Sequence, residues 1–201
     1  MRTDPHYQHL LQPMSMEMVE RIFKGIINIE AAHGIGEDSQ FRRNIGFYGG
    51  EPFLKANFRV VEYIVNKALN LGHATFWAVS NATELDAYRP LLSREKLSNI
   101  QVTIDGVPSE HDRRRIHEDG SGSFGAIASN ISMALDMGVS VSIRLNIDRR
   151  NVENLPELAE MFVSRGWTSY PNFGVYTAAV RSYSDKKNVS ECGPSRSLQN
   201  V

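Results

Sequence analysis

The chain has 201 residues, 41% hydrophobic and 22% charged, which excludes an intrinsically disordered protein and allows one domain of ordinary size. Lys and Arg total 22 against 23 Asp and Glu, for a net charge of −1, so no general electrostatic pull draws it to nucleic acid or to an anionic membrane. No apolar run approaches the roughly 20 residues of a membrane span, Met1 to His6 hold no apolar signal core, and the one cysteine, Cys192, excludes an internal disulfide and a self-contained iron–sulfur cluster. A cytoplasmic location is the expectation.

Residues 1–14 read as a lead-in. A helix opens at Ser15, a good N-cap with Glu17 in the first turn, places Val19, Ile22, Phe23 and Ile26 on one face, and can end at Gly34. The strand Asn44–Tyr48 stops at Gly49-Gly50-Glu51-Pro52. Asn57 can cap the next helix, whose apolar stripe runs from Val60 to Leu69 and which Gly72 closes. A strand Thr75–Val79, a helix near Leu85–Leu92, a strand Ile100–Ile104, a helix Phe124–Met137, a strand Val139–Ile147, a helix Leu155–Arg165 and a strand within Tyr170–Tyr176 follow. Residues 181–201 are too polar to extend a core and read as a disordered tail.

Strict alternation of β-branched runs with amphipathic helices makes residues 15–180 an α/β core with parallel strands and crossover helices. A helix precedes the first strand, and five strands are too few for an eight-stranded barrel, so the sheet is expected to be open or partly wound.

Ligands of such folds sit at the carboxyl ends of the strands. There the sequence places Gly49-Gly50-Glu51-Pro52, Ser80-Asn81-Ala82-Thr83, Thr103-Ile104-Asp105-Gly106 and Arg144-Leu145-Asn146. Two glycines let a ligand approach the main chain, and Glu51 offers a carboxylate to a cation. Asp105 suits either proton transfer or a turn. Arg113 and Arg114 read as a solvated face, His6, His9, His111 and His117 as surface histidines, and Gly120-Ser121-Gly122-Ser123 as a turn with Ser123 the N-cap of the helix that follows. Without a phosphate loop, a plain phosphate-binding α/β enzyme is disfavoured.

Phe47-Tyr48-Gly49-Gly50-Glu51-Pro52-Phe53-Leu54 resembles the second-strand motif of the radical S-adenosylmethionine (radical SAM) enzymes, and Gln101 to Gly106 with His111 to Arg115 resembles their fourth-strand region. Val141 to Asp148 and Asn151 to Leu158 are similar to the branch of peptide and sulfatase maturases with SPASM-type extensions. The resemblance covers residues 14–176 and implies a partial (β/α)6 TIM-like barrel lacking the first strand and the cluster loop. The family binds S-adenosylmethionine against a 4Fe-4S cluster and forms a 5′-deoxyadenosyl radical. The resemblance further implies that Gly49, Gly50 and Glu51, with Pro52 stiffening the turn, meet the methionyl amino group. It implies that Thr103 and Arg115 address the carboxylate and that Ser80, Asn81, Arg144 and Asn146 line the same cavity.

The family's Cys-x3-Cys-x2-Cys loop and its auxiliary-cluster cysteines have no counterpart here, and Ala82 stands where relatives show glycine. The expectation is a fragment of a peptide-modifying maturase, inactive alone, with a peptide or protein substrate and an external reductant for the cluster, and without nucleic acid or membrane partners. The alternative is a non-catalytic peptide- or cofactor-binding partner of a complete enzyme.

Overall fold

In the computed structural model, residues 14–36, 40–117 and 119–180 are described; the lead-in 1–13, the tail 181–201, Cys192, His6 and His9 lie outside them. Five strands, β1 (Arg43–Phe47), β2 (Ala74–Ser80), β3 (Leu97–Ile104), β4 (Ser140–Ile147) and β5 (Phe173–Ala179), form one sheet in chain order with every neighbouring pair parallel. A doubly wound sheet reverses its strand order part-way, and a barrel wall does not. Sequential order therefore gives an α/β fold of the partial TIM-like kind.

Strand alternation divides the sheet into two unlike faces. Phe76, Ile100, Val102, Val141 and Ile143 are buried under helices α1 (Met16–Ala32), α2 (Phe58–Asn70), α4 (Phe124–Asp136) and α5 (Leu155–Ser164), packing on Val61, Val65, Ile127, Ile131, Leu158 and Phe162. The opposite face carries Asn44, Thr75, Asn99, Gln101, Thr103, Ser142 and Arg144. A bulge keeps β3 in phase: Phe76 pairs with Leu97 but Trp77 with Asn99, so the extra residue, Ser98, returns Ile100 to the core.

The ends of the elements show where side chains overrule local signals. Ser15 caps α1 as expected, its Oγ accepting from the Met18 amide at 3.1 Å. Asn57 holds the N-cap position of α2 but turns back, its Nδ2 donating to the carbonyls of Glu51 and Pro52, both at 3.3 Å. Ser123 precedes α4 without capping it; the Phe124 amide donates instead to Asp112 Oδ1 at 2.8 Å. The segment Leu85–Leu91 is a 3-10 helix rather than an α-helix, since Pro90 lacks the amide an α-helical turn requires. A further short helix, α3 (Pro108–Arg114), occupies the charged run, with Pro108 in its first turn.

Gly122 makes room for the Asp112 cap, because a Cβ there would overlap Asp112 Oδ2. Gly122→Ala is therefore expected to displace the cap and destabilise the fold by about 1–2 kcal/mol. Urea unfolding measures it, and a loss no larger than that of an exposed Gly125→Ala control would contradict the assignment.

Candidate functional site

Gly49 and Gly50 both take the left-handed region, φ 96° and 47°, and turn the chain sharply where β1 ends. A Cβ on either would meet open space, so conformation rather than crowding requires glycine here. The turn aims Glu51 sideways at the end of β2. Its Oε1 accepts from the Phe53 amide at 3.0 Å and the Ser80 hydroxyl at 2.6 Å, and its Oε2 accepts from the Asn81 amide at 2.6 Å. One carboxylate thus fastens two strand ends together. Tyr88, fully buried, donates its hydroxyl to the Leu54 carbonyl at 2.7 Å and holds the far side of the turn; burial pushes that phenol well above its usual range.

The second strand end closes on itself. Ser80 Oγ accepts from the Ala82 amide at 2.8 Å, and Asn81 Oδ1 accepts from the amide and hydroxyl of Thr83 at 2.9 and 2.8 Å. Ala82, where the family pattern has glycine, sits at φ 58° and is fully buried. The backbone therefore keeps the glycine-like conformation, which costs an L residue about 1–2 kcal/mol.

Asp105, at the end of β3, collects the rest. Arg115 Nε donates to its Oδ2 at 2.5 Å and Asn146 Nδ2 to its Oδ1 at 2.9 Å. Its carbonyl accepts from Asn151 Nδ2 at 2.8 Å, while its amide donates to His111 Nδ1 at 3.2 Å. His111 Nε2 then faces Ser123 Oγ at 3.2 Å, and Ser123 donates to the Arg115 carbonyl at 2.8 Å. The chain of donors is consistent only with a neutral ring protonated on Nε2. His111 is therefore buried, not a surface histidine, and burial lowers its pKa. Arg114 also departs from expectation: its two Nη nitrogens fork onto Asp148 at 2.9 and 3.0 Å and it pairs with Glu110, tying α3 to the end of β4. Arg113 is more exposed and, among the described residues, forms its ion pair with Glu110 alone.

A cavity of about 1180 Å³ opens over these strand ends, and Gly50, Glu51, Ser80, Asn81, Thr103 and Arg115 line it together with Asp105. Gly49 and Pro52 shape the turn at its edge without lining it. Asn146 reaches it only through Asp105, and Arg144, exposed on the inner face beside Thr103, does not line it. Arg115 keeps a side chain 36% exposed toward the cavity, and among the described residues its Nη nitrogens take no partner. Sequence reasoning missed Asn151, His111 and Ser123 as supports. The signal for Asn151 was an Asn-rich strand end, but no local pattern announces a partner 46 residues away.

No family model matches the sequence, and no curated protein matches it. Solved structures do. "Native anSMEcpe with bound AdoMet and Cp18Cys peptide" superposes with a TM-score of 0.66 at 16% identity over 87% of this chain and 46% of that one. "His6 tagged anSMEcpe with bound AdoMet" gives 0.67 at 16% over 88% and 46%. This chain shares the fold of those solved proteins. It spans about half the length of the solved proteins it matches. No helix among its described residues is long and apolar enough to cross a membrane.

The donor set does not fit a 4Fe-4S cluster. Such a cluster takes its ligands mainly from thiolates, the sequence has one cysteine, and among the described residues no group of three or more His, Cys, Asp or Glu side chains could hold a metal.

The fold holds His111 neutral, so below about pH 6.5 the unfolded chain takes up a proton that the native chain resists. Stability should therefore fall as pH drops from 7.5 to 5.5, by up to about 1.4 kcal/mol per unit for this one group. In His111→Gln that slope should disappear. Unfolding midpoints that fall equally in both proteins would contradict the role given to the ring.

Proposed function

We propose that the cavity binds S-adenosylmethionine and that this chain forms the cofactor-binding part of a radical SAM protein of the peptide-maturase kind, on the SPASM-type branch that the sequence resembles. The observation that carries the reading is Arg115. A guanidinium anchored by Nε to Asp105, with its Nη nitrogens open to a cavity rimmed by Gly50, Glu51, Ser80 and Thr103, suits a ligand carboxylate approached by a planar fork. The Gly49-Gly50 turn and the remaining acceptor capacity of Glu51 suit the methionyl ammonium. The Thr103 hydroxyl, partly exposed on β3, adds a donor beside Arg115. Asn146 then works as a positioning residue through Asp105. The solved proteins of this fold carry AdoMet, two of them with a peptide, which supports both the cofactor and a peptide partner. On this reading the cluster, its reductant and the thiolates that bind it come from outside the residues present here, and the protein works in the cytoplasm without nucleic acid or membrane partners.

A second reading, a cleft that binds cofactor or peptide for a separate complete enzyme, is favoured by one observation: a single cysteine in 201 residues. Anaerobic iron reconstitution tests the premise the two share, since stoichiometric cluster uptake by this chain would contradict both.

Calorimetric titration tests the carboxylate contact from both sides. S-adenosylmethionine should bind Arg115→Gln at least about tenfold more weakly than the unsubstituted chain, the loss of one charge-assisted hydrogen bond. Decarboxylated S-adenosylmethionine should bind the two proteins about equally. If Arg115→Gln, folded by circular dichroism, binds S-adenosylmethionine undiminished, the assignment fails.

A further inference from the structure

A second cavity, of about 400 Å³, lies on the same inner sheet face but nearer the amino ends of the strands. The described residues that line it are all uncharged, among them Asn44, Trp77, Asn99, Gln101, Ser142 and Tyr176. This is a sharp contrast with the first cavity, whose lining includes Glu51, Asp105, Arg114 and Arg115.

The floor is built rather than incidental. Trp77 lies across Gly46 on the neighbouring strand, and a Cβ on Gly46 would overlap the indole six-membered ring. Gly46 has no positive φ to explain it, and glycine weakens a strand interior. Its use here is to let the indole lie against β1 while the side keeps 39% exposure. On the far wall the Tyr176 hydroxyl donates to Gln101 Oε1 at 2.6 Å, which fixes the carboxamide with its Nε2 amino group still available among the described residues. The Asn44 and Asn99 carboxamides likewise keep a donor and an acceptor each.

From this geometry we infer that the amino-end cavity seats an uncharged segment of a peptide, with an apolar or aromatic side chain on the indole of Trp77 and its main-chain amides paired to the Asn99 and Gln101 carboxamides. The inference rests on the proposed reading that the partner is a peptide, and it adds which part of the peptide goes where. A carboxamide presents the same donor and acceptor pair as a peptide bond, and an aromatic face among uncharged lining residues accepts planar or apolar groups. A charged side chain would meet no counter-ion among the described residues that line this hollow. Arg144, between Thr103 and Tyr176 on the same face, stands where the uncharged cavity gives way to the charged one.

The experiment uses the whole chain and follows the tryptophan indole N–H signals by ¹⁵N-edited NMR. There are two tryptophans; Trp167 is fully buried and donates to Ser132 Oγ, so it serves as an internal reference, and Trp77→Phe assigns the other. N-acetyl-L-tyrosinamide should shift the Trp77 signal saturably and leave Trp167 unmoved. N-acetyl-L-lysinamide should bind at least about tenfold more weakly, and Gln101→Met, which keeps the side-chain length, should weaken the tyrosinamide by about the same factor. The absence of a saturable shift, an equal response to the lysine amide, or tighter binding of adenosine at Trp77 would overturn the inference. Trp77→Phe should bind S-adenosylmethionine within about twofold of the unsubstituted chain. Amide binding without S-adenosylmethionine binding would sink the functional proposal alone, and the converse would sink this inference alone.

Discussion

The site depends on the Asp105 carboxylate. It is almost fully buried, and burying an unpaired carboxylate is strongly unfavourable, so its surroundings must supply a cation and hydrogen bonds. Arg115 and Asn146 provide them, from the turn after α3 and from β4. In meeting that requirement the fold aims the Arg115 guanidinium at the cavity and locks β3 to β4 at their carboxyl ends. Glu51 does the same between β1 and β2. Two carboxylates thus fix four strand ends, and the cavity between them is an outcome of satisfying their charge and hydrogen-bonding capacity.

The dry face of the sheet explains why the wet one can be specialised. Helices α1, α2, α4 and α5 bury one side in a continuous apolar layer, so the inner side contributes little to the core and is free to carry amides, hydroxyls and Arg144. Along that face the chemistry is graded. It is charged at the carboxyl ends, where a zwitterionic sulfonium ligand is proposed, and uncharged around Trp77, where a peptide segment is.

Much of this was legible in the sequence, for physical reasons that also mark where legibility stops. The strand and helix alternation follows from local hydrophobic periodicity, and the Gly49-Gly50 turn from the scarcity of other residues able to adopt its backbone. Of the ten expected cavity residues, Gly50, Glu51, Ser80, Asn81, Thr103 and Arg115 meet in one hollow because five lie at or just past strand ends that the parallel sheet brings together and Arg115 is tied to one of those ends by Asp105. Arg144 falls outside because strand pairing places it one step along the inner face, a register that one strand alone does not reveal. The two expected caps at Asn57 and Ser123 failed for one reason: each side chain donates to a carbonyl earlier in the chain and does not accept from the local helix amides. His111 looked like a surface residue since nothing nearby in sequence shows that Asp105 and Ser123 close over it.

The central claim is that the charged cavity receives S-adenosylmethionine with its carboxylate on Arg115. A crystal structure of the chain soaked with S-adenosylmethionine tests this most directly. The account predicts ligand density over the ends of β1 to β3, with the methionyl carboxylate within hydrogen-bond reach of the Arg115 Nη nitrogens and the Asp105–Arg115 pair intact. Density elsewhere on the molecule, or a ligand in this cavity with its carboxylate turned away from Arg115, would contradict it.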